Sequence, residues 1–393
     1  MAGTSFDSAA LPDTERRPLR IACVVNSLRG GGAELVISRL AEALADRGHT
    51  IGMITFSGED SDVHHLSPRI ARYALSRERQ SRTYLQRARN SAGRVGALTL
   101  VLRRFEPQAI VSFIDATNVY ALLANQVLRL PIVISERIDP RFHPVNALTT
   151  RLRSLLYGTA DALVLQTEAT RAWANRLRFQ PPTYVVPNPI SAPMSSNDPE
   201  PVRFQPFILA IGRLARQKGF DTLIRAFAQI RSNNPQLRLV ILGEGPERRP
   251  LEQLCISLGV FEAVHMPGYR NTGPWLRDAL LFVLSSRYEG FPNSLGEAMS
   301  AGLPIVATMC PSGPAEMLVD NESGTLVEVE NVEALGGAIN RLAGDPALRA
   351  RYGERARREA QTRFAPSAVW NAWERIVADA IAHRSGPKPR ATK

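Results

Sequence analysis

Residues 21–56 read IACVVNSLRGGGAELVISRLAEALADRGHTIGMITF. Residues 21–25 are an unbroken apolar run, Gly30-Gly31-Gly32 closes a short loop, residues 34–47 repeat apolar side chains at helical spacing, and residues 51–56 are apolar again. A buried strand, a glycine loop, an amphipathic helix and a returning strand make the opening unit of a parallel sheet covered by helices.

The same alternation continues outward. Strand-like runs follow at 109–113, 131–135, 162–166 and 184–186, with helical stretches between them. Pro187-Asn188-Pro189-Ile190 and the proline-rich, polar residues 191–206 then form a stiff connector. Beyond it the pattern restarts: strands at 207–211, 238–242, 263–266, 280–284, 304–307 and 324–329, helices at 219–231 and 247–258, and a helical end to about residue 379. The expected fold class is α/β, with two Rossmann-like parallel-sheet domains at 19–190 and 191–365. A last helix, 366–384, is expected to cross back to the first domain, with tails at 1–18 and 385–393.

Composition narrows the function classes. The chain has 393 residues, 44% of them apolar, with Gly 27 and Pro 28 and no repeat, which excludes disorder, collagen and coiled coil. No apolar run approaches the roughly 18 residues that span a bilayer, and residues 1–20 lack the apolar segment of a secretory signal, so a cytoplasmic location is expected. Cys23, Cys255 and Cys310 lie far apart in apolar runs and read as buried thiols, not as a disulfide framework or metal site. The net charge of +11 is uneven: between Arg69 and Arg104 ten Arg stand against the single acid Glu78. Such density points to an anionic partner or surface.

Three loops carry the chemistry. Gly30-Gly31-Gly32 is either a tight turn or a phosphate-holding helix start, and it lacks the third glycine of a dinucleotide fingerprint, where Leu35 stands. Gly212-Arg213-Leu214 ends a strand and Lys218-Gly219-Phe220-Asp221 opens a helix, so a planar fork and a compact charge flank one loop. That pair suits the several oxygens of a diphosphate; the alternative is a solvated basic loop. Residues 287–297 place Asn293 or Ser294 as a helix N-cap, with Glu297 in the first turn and Glu289 in the preceding loop. Two carboxylates flanking loop amides fit a phosphate with hydroxyl-bearing groups on either side, while Glu297 alone also reads as a favourable charge on a helix dipole.

These motifs, together with Gly243-Glu244-Gly245-Pro246, the Glu-x7-Glu spacing of Glu289 and Glu297, Gly31-Gly32-Ala33-Glu34 and Pro187-Asn188-Pro189, resemble those of glycosyltransferase family 4, retaining enzymes of the GT-B fold. The resemblance covers roughly residues 19–380. Ser135-Glu136-Arg137 with Asp139-Pro140, after Val111-Ser112-Phe113, is similar to the branch that extends lipid-linked glycans for capsule, exopolysaccharide or protein glycosylation. The resemblance implies two domains facing across a cleft, Arg213 and Lys218 on the donor diphosphate, and Glu297 on the ribose. It implies Glu289 on sugar hydroxyls and Gly212 in the donor loop. Phe291, Pro292, Asn293, Ser294 and Leu295 would meet phosphate and sugar through their amides, Tyr269 and Arg270 the base, and Gly31 and Gly32 the diphosphate. Where many members carry a first-domain His, this chain has Asp115, read either as a contact at the reacting centre or as an ordinary loop residue. Glu136 and Arg137 are assigned to the acceptor side. The expected donor is a UDP-sugar used as co-substrate, with no cofactor and no metal.

Asp60-Ser61-Asp62 has the Asp-x-Asp spacing of a metal-and-nucleotide motif from another fold, but it lies in a polar loop away from a strand end, which argues against it. From residue 81 to 105, Tyr84, Leu85, Ala88, Ala92, Val95, Leu98, Val101, Leu102 and Phe105 recur at steps of three and four, with Arg82, Arg87, Arg89, Arg94, Arg103 and Arg104 between them. This is a basic amphipathic helix. Two readings stand: a grip on an anionic inner membrane leaflet or a polyprenyl-diphosphate acceptor, and a core-packed helix with a solvated arginine face. The expected partners are therefore a nucleotide sugar, a lipid-linked glycan and an anionic membrane. A nucleotide-sugar epimerase on the same scaffold is one rival. A nucleic-acid-binding protein is the other, but no RNA-module or zinc-finger pattern supports it.

Overall fold

The central strands of the first half are buried on both faces, as strands of a parallel sheet covered by helices are. In the computed structural model, which describes residues 17–77, 83–142, 145–191 and 205–385, the chain divides into two compact units, Met1–Asn188 with Ser367–Lys393, and Pro189–Pro366. The first unit runs β1 (Arg20–Val25), α1 (Gly32–Asp46), β2 (Thr50–Thr55), β3 (Ala71–Ala74), α2 (Tyr84–Phe105), β4 (Ala109–Phe113), α3 (Asp115–Leu128), β5 (Ile132–Ser135), α4 (Ala147–Leu156), β6 (Ala162–Leu165), α5 (Glu168–Ala174) and β7 (Thr183–Val185). All pairings are parallel, in the order β3-β2-β1-β4-β5-β6-β7, with Cys23 opposite Met53 and Val111. Side chains alternate across the sheet. Cys23, Val25, Val111 and Val133 meet Ile37 and Leu40 of α1, whereas Ala22, Val24, Ile110 and Ile134 meet Leu98 and Leu102 of α2 and Leu122 of α3.

The second unit repeats the plan: β8 (Phe207–Ile211), α6 (Phe220–Ile230), β9 (Arg238–Leu242), α7 (Arg248–Ser257), β10 (Val264–Gly268), α8 (Thr272–Asp278), β11 (Leu281–Leu284), α9 (Asn293–Ala301), β12 (Ile305–Thr308), α10 (Pro314–Met317), β13 (Thr325–Val327), α11 (Val332–Gly344) and α12 (Pro346–Arg363). Its sheet is parallel in the order β10-β9-β8-β11-β12-β13. In both sheets the order reverses beside the first strand, which leaves a crevice at the carboxyl ends where α/β sheets hold ligands.

The last helix, α13 (Pro366–Ser385), belongs to the first unit. Trp373 is fully buried against Phe113, ring centroids 5.3 Å apart. Its buried neighbour Glu374 takes Arg47 Nη1 at 2.9 Å and His49 Nε2 at 3.1 Å. Backbone N–H of Leu19 donates to His49 Nδ1, so the imidazole proton sits on Nε2 and is donated to Glu374.

β3 departs from the sequence reading, because a half-buried edge strand of four residues carries no apolar run. It divides the arginine-rich segment. Arg72 lies on β3 and holds Asp62 Oδ2 through Nε at 2.9 Å and Nη2 at 2.8 Å, so the second carboxylate of the Asp-x-Asp spacing is engaged in an ion pair. Among the described residues no group of three or more His, Cys, Asp or Glu is placed to hold a metal. No helix of the described residues is long and apolar enough to cross a membrane. The three cysteines are buried, and burial pushes the thiols of Cys23 and Cys310 to about 12 and that of Cys255 to about 11.

Candidate functional site

In the second unit, the turns after β8 and β9 are stitched together by backbone bonds. Gly212 N–H donates to Leu242 O at 3.0 Å and Leu214 N–H to Glu244 O at 2.9 Å. Gly243, at φ +143°, allows the approach: a Cβ there would lie 2.0 Å from Gly212 O. The chain then makes a 3₁₀ turn over Arg216–Lys218 and enters α6 through Gly219, whose φ of +61° and contact with Ser285 O leave no room for a side chain. Lys218 folds back over Gly212 and places Nζ 2.6 Å from Glu289 Oε1. Arg213 is exposed and makes no side-chain hydrogen bond or ion pair with the described residues.

The loop after β11 is fastened to that turn. Arg287 N–H donates to Gln217 O at 2.7 Å, Gln217 Nε2 to Tyr288 O at 3.0 Å, and Ser285 Oγ to Lys218 O at 2.8 Å. Glu289 is buried. Its Oε1 accepts from Ser286 Oγ at 2.5 Å as well as from Lys218, and its carbonyl accepts from Ser312 Oγ at 2.5 Å. Arg287, to which sequence reasoning gave no role, clamps the assembly from behind: Nη1 and Nη2 take Asp221 at 2.9 and 2.8 Å, Nε takes Glu330 at 2.6 Å, and Nη1 also donates to Arg216 O at 2.6 Å. The hydrogen bonds to Asp221 hold the guanidinium charged well above its ordinary range. A hollow of about 260 Å³, lined in part by Arg216, Asp221, Glu247 and Arg287, lies beside this clamp and is not lined by Lys218, Glu289 or Glu297.

Helix α9 begins one residue earlier than its capping signal suggests. Pro292 takes the extended N-cap position, and its carbonyl accepts from Leu295 and Gly296, so Asn293 and Ser294 are the first two helical residues. Glu297 therefore falls in the second turn, which removes its reading as a first-turn dipole charge. Its Oε2 accepts from Thr272 Oγ1 at 3.0 Å. Phe291, Pro292 and Leu295 are buried, so that stretch offers backbone more than side chain. Tyr269, 70% exposed, and Arg270 follow β10, with Arg270 Nη1 on Tyr269 O at 2.9 Å.

The first unit presents its own loops at the carboxyl ends of β1, β4 and β5. Gly31 and Gly32 are exposed at the start of α1, and Glu34 folds so closely over Gly31 that a Cβ there would lie 2.1 Å from its Oε2. Asp115 is not a loop residue: it is buried and opens α3, after Ile114 at φ +76°, an uncommon conformation for a β-branched side chain. Glu136 and Arg137, expected on the acceptor side, are likewise buried. Tyr157 hydroxyl donates to Glu136 Oε1 at 2.6 Å and Arg153 Nη1 to the same oxygen at 3.3 Å; burial nonetheless raises the Glu136 carboxyl to about 7. Arg137 stacks 4.5 Å over the Phe113 ring and donates to Ser135 and Asn188, while burial works against its charge.

Among the described residues of α2, the apolar stripe is buried only in the second half. Leu98, Leu102 and Phe105 are buried, whereas Ala88 and Ala92 are exposed and Leu100 faces outward at 69% exposure. Arg89, Arg103 and Arg104 are exposed. Arg94 donates to Arg77 O and Tyr120 Oη and lies over the Phe56 and Tyr120 rings, so it is engaged within its own unit. Arg82 and the side chains of Arg87, Tyr84 and Leu85 lie outside the described residues.

Comparison with known proteins matches residues 196–359 to the family model described as glycosyl transferases group 1 and residues 30–192 to that described as glycosyltransferase family 4. The chain is 35% identical over 244 residues to an exopolysaccharide phosphotransferase of Streptomyces coelicolor, a stretch that is 59% of this chain and 25% of that protein. It is 24% identical over 362 residues, 92% of this chain and 99% of the other, to a Campylobacter jejuni α-1,4-N-acetyl-D-galactosaminyltransferase named for a glycan on diphospho-undecaprenol. Among solved structures, Anabaena HepE in complex with UDP superposes with a TM-score of 0.75 at 20% identity, covering 93% of this chain and all of that one.

Proposed function

The chain belongs to glycosyltransferase family 4, and on that premise we propose that it is a retaining hexosyltransferase, moving a sugar from a UDP-hexose or UDP-N-acetylhexosamine to a polyprenyl-diphosphate-linked glycan. The observation that carries this reading is the meeting of Lys218 and Glu289 at the carboxyl edge of the second sheet, in the loop of Arg213, which is exposed and unpaired among the described residues. Cations there suit a diphosphate, and a buried carboxylate with Glu297 nearby in the chain suits hydroxyl groups on either side of it. The names of relatives support the acceptor class: one acts on a diphospho-undecaprenol glycan, another is named for exopolysaccharide.

In this mechanism the bond between the sugar's anomeric carbon and the diphosphate oxygen breaks, its electron pair leaving with the diphosphate. The acceptor oxygen bonds to the same face of that carbon, and its proton passes to the departing oxygen. Arg213 and Lys218 neutralise the charge that accumulates on the leaving group. Glu289 holds sugar hydroxyls, Glu297 the ribose, and the backbone at Tyr269 and Arg270 faces the base. The family resemblance assigns Gly31 and Gly32 to the diphosphate and gives Asp115 the chain position of the first-domain histidine.

The enzyme works, in this reading, peripherally on the inner face of the plasma membrane. The exposed Arg89, Arg103 and Arg104 of α2 and the outward Leu100 support contact with anionic lipid, each cation contributing about 1 kcal/mol near such a surface. Flotation with anionic vesicles at low salt tests that part: protein left at the bottom of the gradient refutes it. The donor site is tested by thermal stabilisation with a panel of nucleotides and nucleotide sugars. A ligand at 100 times its Kd adds about 2.7 kcal/mol. Stabilisation by UDP and one UDP-sugar, lost in Arg213→Ala and Glu297→Ala, supports the reading. Conversion of the nucleotide sugar without any acceptor would instead mark an epimerase.

A further inference from the structure

Lys218 and Glu289 satisfy each other. Besides the 2.6 Å contact between Nζ and Oε1, the same carboxylate oxygen holds, among the described residues, only Ser286 Oγ, and the two side chains are 16% and 6% exposed. An anion that draws the ammonium away leaves a buried carboxylate with a serine for its company. Removing one partner of a buried ion pair is costly because the other keeps its charge without compensation. Arg213, exposed and unpaired among the described residues, bears no such penalty.

We propose that the Lys218–Glu289 pair is a specificity element that exchanges partners on binding: the diphosphate takes Lys218, and the sugar's hydroxyls replace the ammonium on Glu289. This rests on the donor site proposed above and deepens it. A nucleoside diphosphate without its sugar breaks the pair and gives Glu289 nothing in return, so it binds at a disadvantage that the intact nucleotide sugar does not suffer. After transfer, the carboxylate recaptures Lys218 as the sugar departs, which weakens the hold on the product. No covalent step is involved.

Calorimetric titration tests the exchange. The probes are UDP, GDP, ADP and dTDP with their glucose adducts, and the tightest-binding diphosphate and its adduct are carried into the variants. Glu289→Gln keeps the size of the side chain and removes its charge, so Lys218 is released without cost. The diphosphate should then bind about tenfold more tightly than to the wild type, the scale of one charge-assisted hydrogen bond. The nucleotide sugar should gain less or lose, so that the ratio of the two affinities shifts by about tenfold toward the bare diphosphate. Ser286→Ala, which leaves Glu289 more dependent on Lys218, should move the same ratio the opposite way. It keeps the proposal testable if Glu289→Gln melts early. Lys218→Met should weaken both ligands together. Equal shifts for the two ligands in Glu289→Gln, or no gain for the diphosphate, overturn the exchange while leaving the donor site standing. Failure of the whole panel to bind the wild type overturns the donor site, and the exchange with it.

Discussion

Arg287 grips Asp221 through both terminal nitrogens of its guanidinium, at 2.9 and 2.8 Å, and thereby joins the loop that carries Glu289 to the first turn of α6, three residues beyond Lys218. The fork fixes an angle as well as a distance, which an ammonium cannot do. Arg287 is thus a positioning residue for the Lys218–Glu289 pair. Arg287→Ala is expected to lower kcat by about 100-fold, the scale of a small misplacement of reacting groups, with a smaller change in KM for the donor. Arg287→Lys should recover little, and added guanidinium should restore part of the rate to Arg287→Ala alone. Loss of kcat without such rescue, tracking a loss of folded protein, would reduce the clamp to a stabilising contact.

Lys218 itself is placed to neutralise the leaving group. Lys218→Ala is expected to slow turnover by about 100- to 1000-fold, as for the loss of one electrostatic stabiliser, while the circular dichroism spectrum stays that of the wild type. Near-normal turnover in an acceptor-dependent assay would remove Lys218 from the mechanism.

Glu374 ties α13 to its unit. With Arg47 and His49 both directed at its carboxylate and burial nearly complete, Glu374→Ala is expected to cost on the order of 3 kcal/mol in urea unfolding. Glu374→Gln should cost less, since its amide oxygen still accepts from His49 Nε2. A loss below about 1 kcal/mol for the alanine variant would show that Trp373 and its apolar neighbours hold the helix unaided.

Both sheets are legible in the sequence because their central strands are buried on two faces and read as continuous apolar runs; β4, β8 and β9 fall at the residues those runs mark. β3 is not, since Ala71-Arg72-Tyr73-Ala74 lies at a half-buried edge and owes its place to pairing with β2. The donor-side motifs mark where loops leave the second sheet, but not which partner each side chain finds. Arg287 opens the loop at residues 287–297, yet its acids lie 66 and 43 residues away, and nothing local distinguishes it from a solvated arginine. The same limit hides the surroundings of Glu136, whose partners Arg153 and Tyr157 lie 17 and 21 residues away. Glu297 falls just past the expected first turn because Pro292 takes the cap position one residue earlier, through its backbone alone.

The Glu136 carboxyl makes stability depend on pH in an unusual direction. Burial raises it from 4.5 to about 7 against the pull of Arg153 and Tyr157, with Asp115 adding to the rise. The Tyr157 hydroxyl is pushed well above its ordinary range by burial and by Glu136, so it stays protonated and donates to the carboxylate. A carboxyl raised in the folded state binds its proton more tightly there than in the unfolded chain. Its contribution is therefore full below about pH 4.5 and is lost as pH rises to about 7, on the order of 3 kcal/mol across that window. Paired carboxylates elsewhere, such as Asp221, which Arg287 and neighbouring amides hold below its ordinary range despite burial, act in the opposite sense and at lower pH. The difference between two proteins isolates Glu136 from that background. Glu136→Gln, which keeps an acceptor for Tyr157 and cannot titrate, should gain stability relative to the wild type as pH is raised from 5 to 8, read as diverging melting temperatures. Parallel curves would mean that Arg153 holds Glu136 ionised throughout, and that the buried carboxylate is an ordinary ion-pair partner.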